Sequence, residues 1–139
     1  HDALPIYYIT YLTTYNFLFE NAIEVLAYLK KHYSLHIITN GFEEVQHKKL
    51  SKSKINGFFN TVTNSEMVGV KKPNPKIFNY ALEKANAKAE TSVMVGDSYE
   101  ADILGAQNIG MDVVFFSNNG DNKKGVKQVN KLIELKEIL

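Results

Sequence analysis

The chain of 139 residues contains no cysteine, which excludes disulfides and thiolate metal sites. It has no apolar run approaching the roughly 18 residues that a membrane-spanning helix needs. Charge of either sign is not in excess: 16 basic and 15 acidic residues leave a formal net charge of +1. Nothing electrostatic therefore argues for nucleic acid or an anionic membrane as partner. Neither Gly-x-Gly-x-x-Gly nor Gly-x-x-x-x-Gly-Lys occurs, so dinucleotide and P-loop readings lack support. The histidines, His1, His32, His36 and His47, show no zinc-like spacing and read as structural or surface groups. What remains is an ordinary globular composition, 45% hydrophobic and 22% charged. That suffices for one domain with a real core, and a cytoplasmic location is the expectation.

Strand and helix patterns alternate along the chain. Residues 6–19 are rich in Tyr, Thr and Phe; propensity favours a strand, and a helix end followed by a loop fits as well. Spacing predicts helices over 21–32, over 42–53, and from Pro75, which follows the candidate N-cap Asn74. A further helix follows Asp97 and stops at Gly110, and another covers 128–139. Short buried strands are predicted at Leu35–Thr39, Thr61–Thr63, Val93–Val95 and Asp112–Phe116, with loops over 66–72 and 118–125. This alternation predicts a parallel sheet with helices on both faces. Right-handed crossovers then bring the carboxyl ends of the strands to one edge.

Three polar clusters fall on that edge. Thr39-Asn40-Gly41 offers a hydroxyl, backbone N–H groups at a helix start and a glycine that allows close approach; an ordinary helix cap explains the same residues. Lys72, before Pro73, is a cation held at a sheet edge that could neutralise a phosphate; with Lys71 it also fits a solvated loop pair. Gly96-Asp97 ends an apolar β-branched run, and Asp102 lies in the first turn of the helix beyond. Two carboxylates so placed could share a hard cation such as Mg2+. A turn and a helix-start carboxylate would read identically. The order of the three clusters, on separate strand ends, is far more specific than any one of them.

Ile38-Thr39-Asn40-Gly41, Lys72-Pro73-Asn74-Pro75-Lys76-Ile77-Phe78 and Gly96-Asp97 through Asp102 to Gly105-Ala106 resemble motifs two, three and four of the haloacid dehalogenase (HAD) superfamily. The wording around Thr39–Gln46 and Ser65–Pro73 is similar to the YjjG-type pyrimidine 5'-nucleotidases. The resemblance implies a Rossmann-like three-layer α/β/α sandwich with a parallel sheet. It implies a Mg2+-dependent phosphatase in which an aspartate attacks phosphorus and water hydrolyses the aspartyl-phosphate. Thr39, the Asn40 amide and Gly41 would hold the phosphoryl group, and Lys72 would bind both phosphate and nucleophile. Asp97 would bind Mg2+, with Asp102 a ligand through water or an orienting group. The implied partner is a small phosphorylated substrate, a nucleoside monophosphate first.

One family element is missing. No Asp-x-Asp-x-Thr sequence occurs: the aspartates are Asp2, Asp97, Asp102, Asp112 and Asp121. The chain therefore reads as the carboxyl-terminal part of a larger enzyme, inactive alone. Residues 1–19 would be the tail of a cap domain and its linker, the first few not native, and 20–139 the rest of the core. On this reading the sheet lacks its first strand, leaving the strands of Ile38 and Val95 unpaired on one side or forced together. Two alternatives stay open: HAD chemistry of another kind (dehalogenase, phosphonatase or phosphomutase), or a phosphate-binding α/β module without turnover.

Overall fold

The computed structural model describes residues 6–9, 21–41, 56–117, 120 and 122–139. The helix expected over 42–53, the segment 10–19 and part of the loop expected over 118–125 lie outside the described residues. Six strands form one sheet in the order β3-β2-β1-β4-β5-β6. They are β1 (Ile6–Ile9), β2 (Ser34–Thr39), β3 (Thr61–Asn64), β4 (Ser92–Gly96), β5 (Asp112–Phe116) and β6 (Lys127–Val129). Every neighbouring pair is parallel.

Alternating side chains divide the core into two layers. Leu35, Ile37, Val95, Val114 and Phe116 face the first. There they meet Val25, Leu26 and Leu29 of α1 (Ala22–Lys30), together with Val129, Leu132 and Leu135. Ile38, Met94, Val113 and Phe115 face the second, against Ile77, Phe78 and Ala81 of α3 (Pro75–Lys84) and against Ile103 and Ala106. The α/β/α sandwich is thus present, covered on both faces. Helix α3 starts as its sequence predicts: Asn74 accepts from the Lys76 N–H, and Pro75 stands where its missing donor costs nothing.

Three expectations need correction. The gap between the strands of Ile38 and Val95 is filled: β1 lies there, Tyr7 opposite Leu35 on one side and Val93 on the other. Ile6-Tyr7-Tyr8-Ile9 has the β-branched and aromatic composition that suits a strand. It also pairs backbone groups that would be costly to bury unmade. The loop expected over 66–72 begins instead as a helical turn, α2 (Ser65–Val68), whose Met67 N–H is held by the Asn64 side chain at 2.9 Å and which ends at Gly69, φ +87°. The terminal helix expected over 128–139 is delayed. Lys127–Val129 pairs with the open edge of β5 as β6, and Glu134 accepts from the N–H groups of Asn130 and Lys131, both at 2.8 Å. Helical structure then runs from Leu132 through α5 (Leu135–Ile138).

Candidate active site

The carboxyl ends of β2 and β4, Thr39 and Gly96, carry the predicted clusters. Lys72 reaches this edge from the loop before α3. Its side chain is buried at 4% exposure, and its Nζ donates to Asp102 at 2.6 Å and to the Ile38 carbonyl at 3.1 Å. It joins its proline through a cis peptide bond. The second lysine of the pair, Lys71, is exposed. The two readings of the Lys-Lys pair therefore separate residue by residue: one lysine is solvated and the other is internal.

Asp102 is buried at 1% exposure and occupied on both oxygens. Oδ1 takes the Lys72 ammonium, and Oδ2 accepts from the Ser98 N–H at 3.0 Å. The segment that carries it, Tyr99–Leu104, is a π-helical turn. The N–H groups of both Asp102 and Ile103 point to the Ser98 carbonyl, at 2.9 and 3.3 Å. This wider turn leads into α4 (Gly105–Asn108), and such single π turns are frequent at functional sites. It lays the Asp102 side chain against Gly96, where a Cβ would overlap its Cβ and carboxylate. The residue before Asp97 is therefore glycine for a steric reason. Gly105 meets a similar demand, because a Cβ there would stand 2.7 Å from the Phe78 ring.

Asp97 follows Gly96 and is partly exposed. Burial pushes its carboxyl above the usual range, the Asp102 charge pushes it further, and Lys72 pulls it back in part. Two carboxylates against one ammonium leave this pocket one negative charge in excess. That donor set suits a hard divalent cation, which needs one or two carboxylates and keeps its waters. Among the described residues no group of three or more His, Cys, Asp or Glu converges on a metal position.

At the end of β2 the predicted anion cluster is largely engaged with the protein itself. Thr39 is fully buried, and its Oγ1 accepts from the Gly41 N–H at 3.0 Å. The Asn40 carboxamide is tied to Lys72: Oδ1 accepts from the Lys72 N–H at 2.8 Å and Nδ2 donates to the Lys72 carbonyl at 3.3 Å. Ser65 Oγ donates to the Asn40 carbonyl at 3.2 Å. The roles of Ser65 and Ser98 escape a sequence reading, since neither belongs to a recognisable spacing.

The carboxyl edge of the parallel sheet thus carries a buried lysine–aspartate pair with a second aspartate beside it. Residues 4–116 match the family model for haloacid dehalogenase-like hydrolases, and the chain belongs to that family. It is 38% identical to the glyceraldehyde 3-phosphate phosphatase of Methanothermobacter thermautotrophicus, over 87% of this chain and 58% of that protein. It is 37% identical to the pyrimidine 5'-nucleotidase YjjG of Escherichia coli, over 85% of this chain and 55% of that one. Among solved structures it is similar to the putative HAD-hydrolase YfnB of Bacillus subtilis, bound to magnesium, with TM-score 0.81 and 33% identity over 87% of this chain and 54% of that one. The chain thus spans about half the length of the relatives it matches.

Proposed function

We propose that the chain is the carboxyl-terminal part of a Mg2+-dependent phosphatase acting on a small phosphoric monoester, a nucleoside 5'-monophosphate being the first candidate. The observation that carries this reading is the buried Lys72–Asp102 pair at 2.6 Å beside the desolvated Asp97. Lys72 neutralises phosphoryl oxygens, and Asp102 keeps its ammonium in place. Thr39 donates its hydroxyl to the phosphoryl group, with the Asn40 amide and Gly41 beside it. Asp97, with Asp102 behind it, holds the cation, which when bound offsets charge developing on the transferred group. Catalysis of this kind rests on positioning and electrostatic stabilisation.

The nucleophilic aspartate would come from an Asp-x-Asp-x-Thr sequence that these 139 residues do not contain; of residues 1–19, expected as the tail of a cap and its linker, Ile6–Ile9 belong instead to the core sheet as β1. The sequence similarity to a pyrimidine 5'-nucleotidase supports the nucleotide reading. The similarity to glyceraldehyde 3-phosphate phosphatases supports a second, a three-carbon sugar phosphate. The protein is expected to be cytoplasmic; among the described residues no helix is long and apolar enough to cross a membrane.

The test has two parts. Mg2+ is expected to raise the melting temperature of the 139-residue chain, and Asp97→Asn to abolish that response while leaving the metal-free protein at least as stable, since it removes a disfavoured charge. A full-length reading frame containing this segment is expected to hydrolyse pyrimidine nucleoside monophosphates or glyceraldehyde 3-phosphate only with Mg2+. Turnover by the 139 residues alone, or an unchanged Mg2+ response in Asp97→Asn, would sink the reading.

A further inference from the structure

We propose that Asn40 is a positioning residue for Lys72, gripping its backbone at two points and so setting where the ammonium stands at the sheet edge. The inference rests on the reading of this edge as a phosphate site. A carboxamide carries one acceptor and one donor side by side, so it can take the N–H and the C=O of a single residue together. Asn40 meets Lys72 in this way, at 2.8 Å on the N–H and 3.3 Å on the carbonyl.

The other end of the same lysine is held by the same strand end: its Nζ donates to the carbonyl of Ile38, two residues before Asn40. Lys72 is therefore anchored to the end of β2 by both backbone and ammonium, with Asp102 completing the hold. Asn40 is itself tied from behind by Ser65, which donates to its carbonyl. A lysine has four rotatable side-chain bonds, and fixing only its ammonium would leave its backbone free to drift with the loop. The two-point grip removes that freedom. No other side chain of similar size can make it: aspartate keeps the acceptor but sets a carboxylate oxygen against the Lys72 carbonyl, and alanine keeps neither contact.

Two NMR signals of the 139-residue chain separate the possibilities: the Lys72 side-chain ammonium resonance, and the shifts produced by titrating inorganic phosphate with Mg2+ present. Asn40→Ala is expected to move or broaden the ammonium resonance and to weaken phosphate about tenfold. Leu132→Ala, a cavity in the opposite core layer, lowers the melting temperature and is expected to change neither signal. Should Asn40→Ala fail to fold, Asn40→Asp is read in its place and is expected to move both signals in the same direction. An ammonium resonance that stays in place in the folded Asn40 variant, or moves equally in Leu132→Ala, overturns the proposal. If the unsubstituted chain shows no phosphate-dependent shift while the Asn40 variant still displaces the ammonium, the phosphate reading fails and the positioning role stands.

Discussion

Strand β2 buries polar groups at both ends, and the two ends are built on opposite principles. At the amino end His36, 2% exposed, lies between Ser34 Oγ at 3.0 Å and Thr61 Oγ1 at 2.7 Å. Asn60 donates in turn to Ser34 Oγ at 2.7 Å. These partners are neutral hydroxyl and amide groups, and both ring nitrogens are engaged. Burial, with help from the Lys30 charge, brings the imidazole down to about 4. At the carboxyl end the partners are charged and do not balance: Lys72 faces Asp102, and Asp97 is left over with its carboxyl pushed up. A neutral, fully engaged set fixes structure and has nothing to offer a ligand. A desolvated set short of one positive charge is where a cation gains most. The same strand therefore separates an end whose polar groups are neutral and engaged from an end that is left with an unbalanced charge.

The largest break of this contrast is expected from Lys72→Met, which leaves Asp102 as a buried charge without its ammonium. Breaking such a pair costs about 3–5 kcal/mol, a large share of the 5–15 kcal/mol typical of a whole domain. Denaturant unfolding of the chain measures it. Lys72→Met combined with Asp102→Asn, which removes the stranded charge too, is expected to recover much of the loss. A single variant as stable as the unsubstituted chain would mean that Asp102 is not desolvated as its position indicates.

The contrast was only half legible in the sequence. Thr39 and Asp97 could be placed at one edge because strand patterns end beside them and a parallel sheet brings its carboxyl ends together, whereas Lys72 and Asp102 were placed there through the loop before Pro73 and the helix start beyond Asp97. The apolar stripe of α3 and the strand Asp112–Phe116 followed from local periodicity in the same way. What periodicity cannot show is the non-local partner. In Lys71-Lys72 the proline that follows singles out Lys72, which is the lysine that turns inward, but nothing there says that Asp102 is its partner. Nothing in Asn40 says that its side chain faces another loop and not a ligand. The delayed terminal helix belongs to the same class, since Gln128 and Val129 fit either period until β5 presents an open edge. So does β1, whose four residues become a central strand only because β2 and β4 flank them.

The second effect concerns the neutral end and acid. An imidazole held near 4 in the folded chain and near 6.5 when unfolded lets the unfolded state take its proton first as pH falls. The stability that His36 contributes is therefore complete above pH 6.5 and is lost progressively down to about 4. At its limit the loss is about 3 kcal/mol, from 1.36 kcal/mol for each pKa unit. Melting curves across this window are expected to fall, and His36→Asn to flatten the fall while lowering stability at neutral pH. A slope unchanged in that variant would assign the acid sensitivity to other groups.

The smallest effect is a change of sign. Thr39 and Thr63, on adjacent strands, are both fully buried. The Thr39 hydroxyl accepts from the Gly41 N–H, whereas Thr63 Oγ1 has no hydrogen-bond partner among the described residues. Removing the Thr39 acceptor leaves the partly buried Gly41 N–H unsatisfied, and removing an unpartnered hydroxyl relieves a desolvation penalty. Thr39→Val is thus expected to cost about 1 kcal/mol and Thr63→Val to stabilise by up to about 1 kcal/mol, both read as shifts in denaturant midpoint at constant slope. One substitution at two equally buried sites isolates the partner from the burial. If both variants lose stability alike, the loss comes from packing of the larger methyl group, and the distinction between engaged and unengaged polar groups does not hold at this edge.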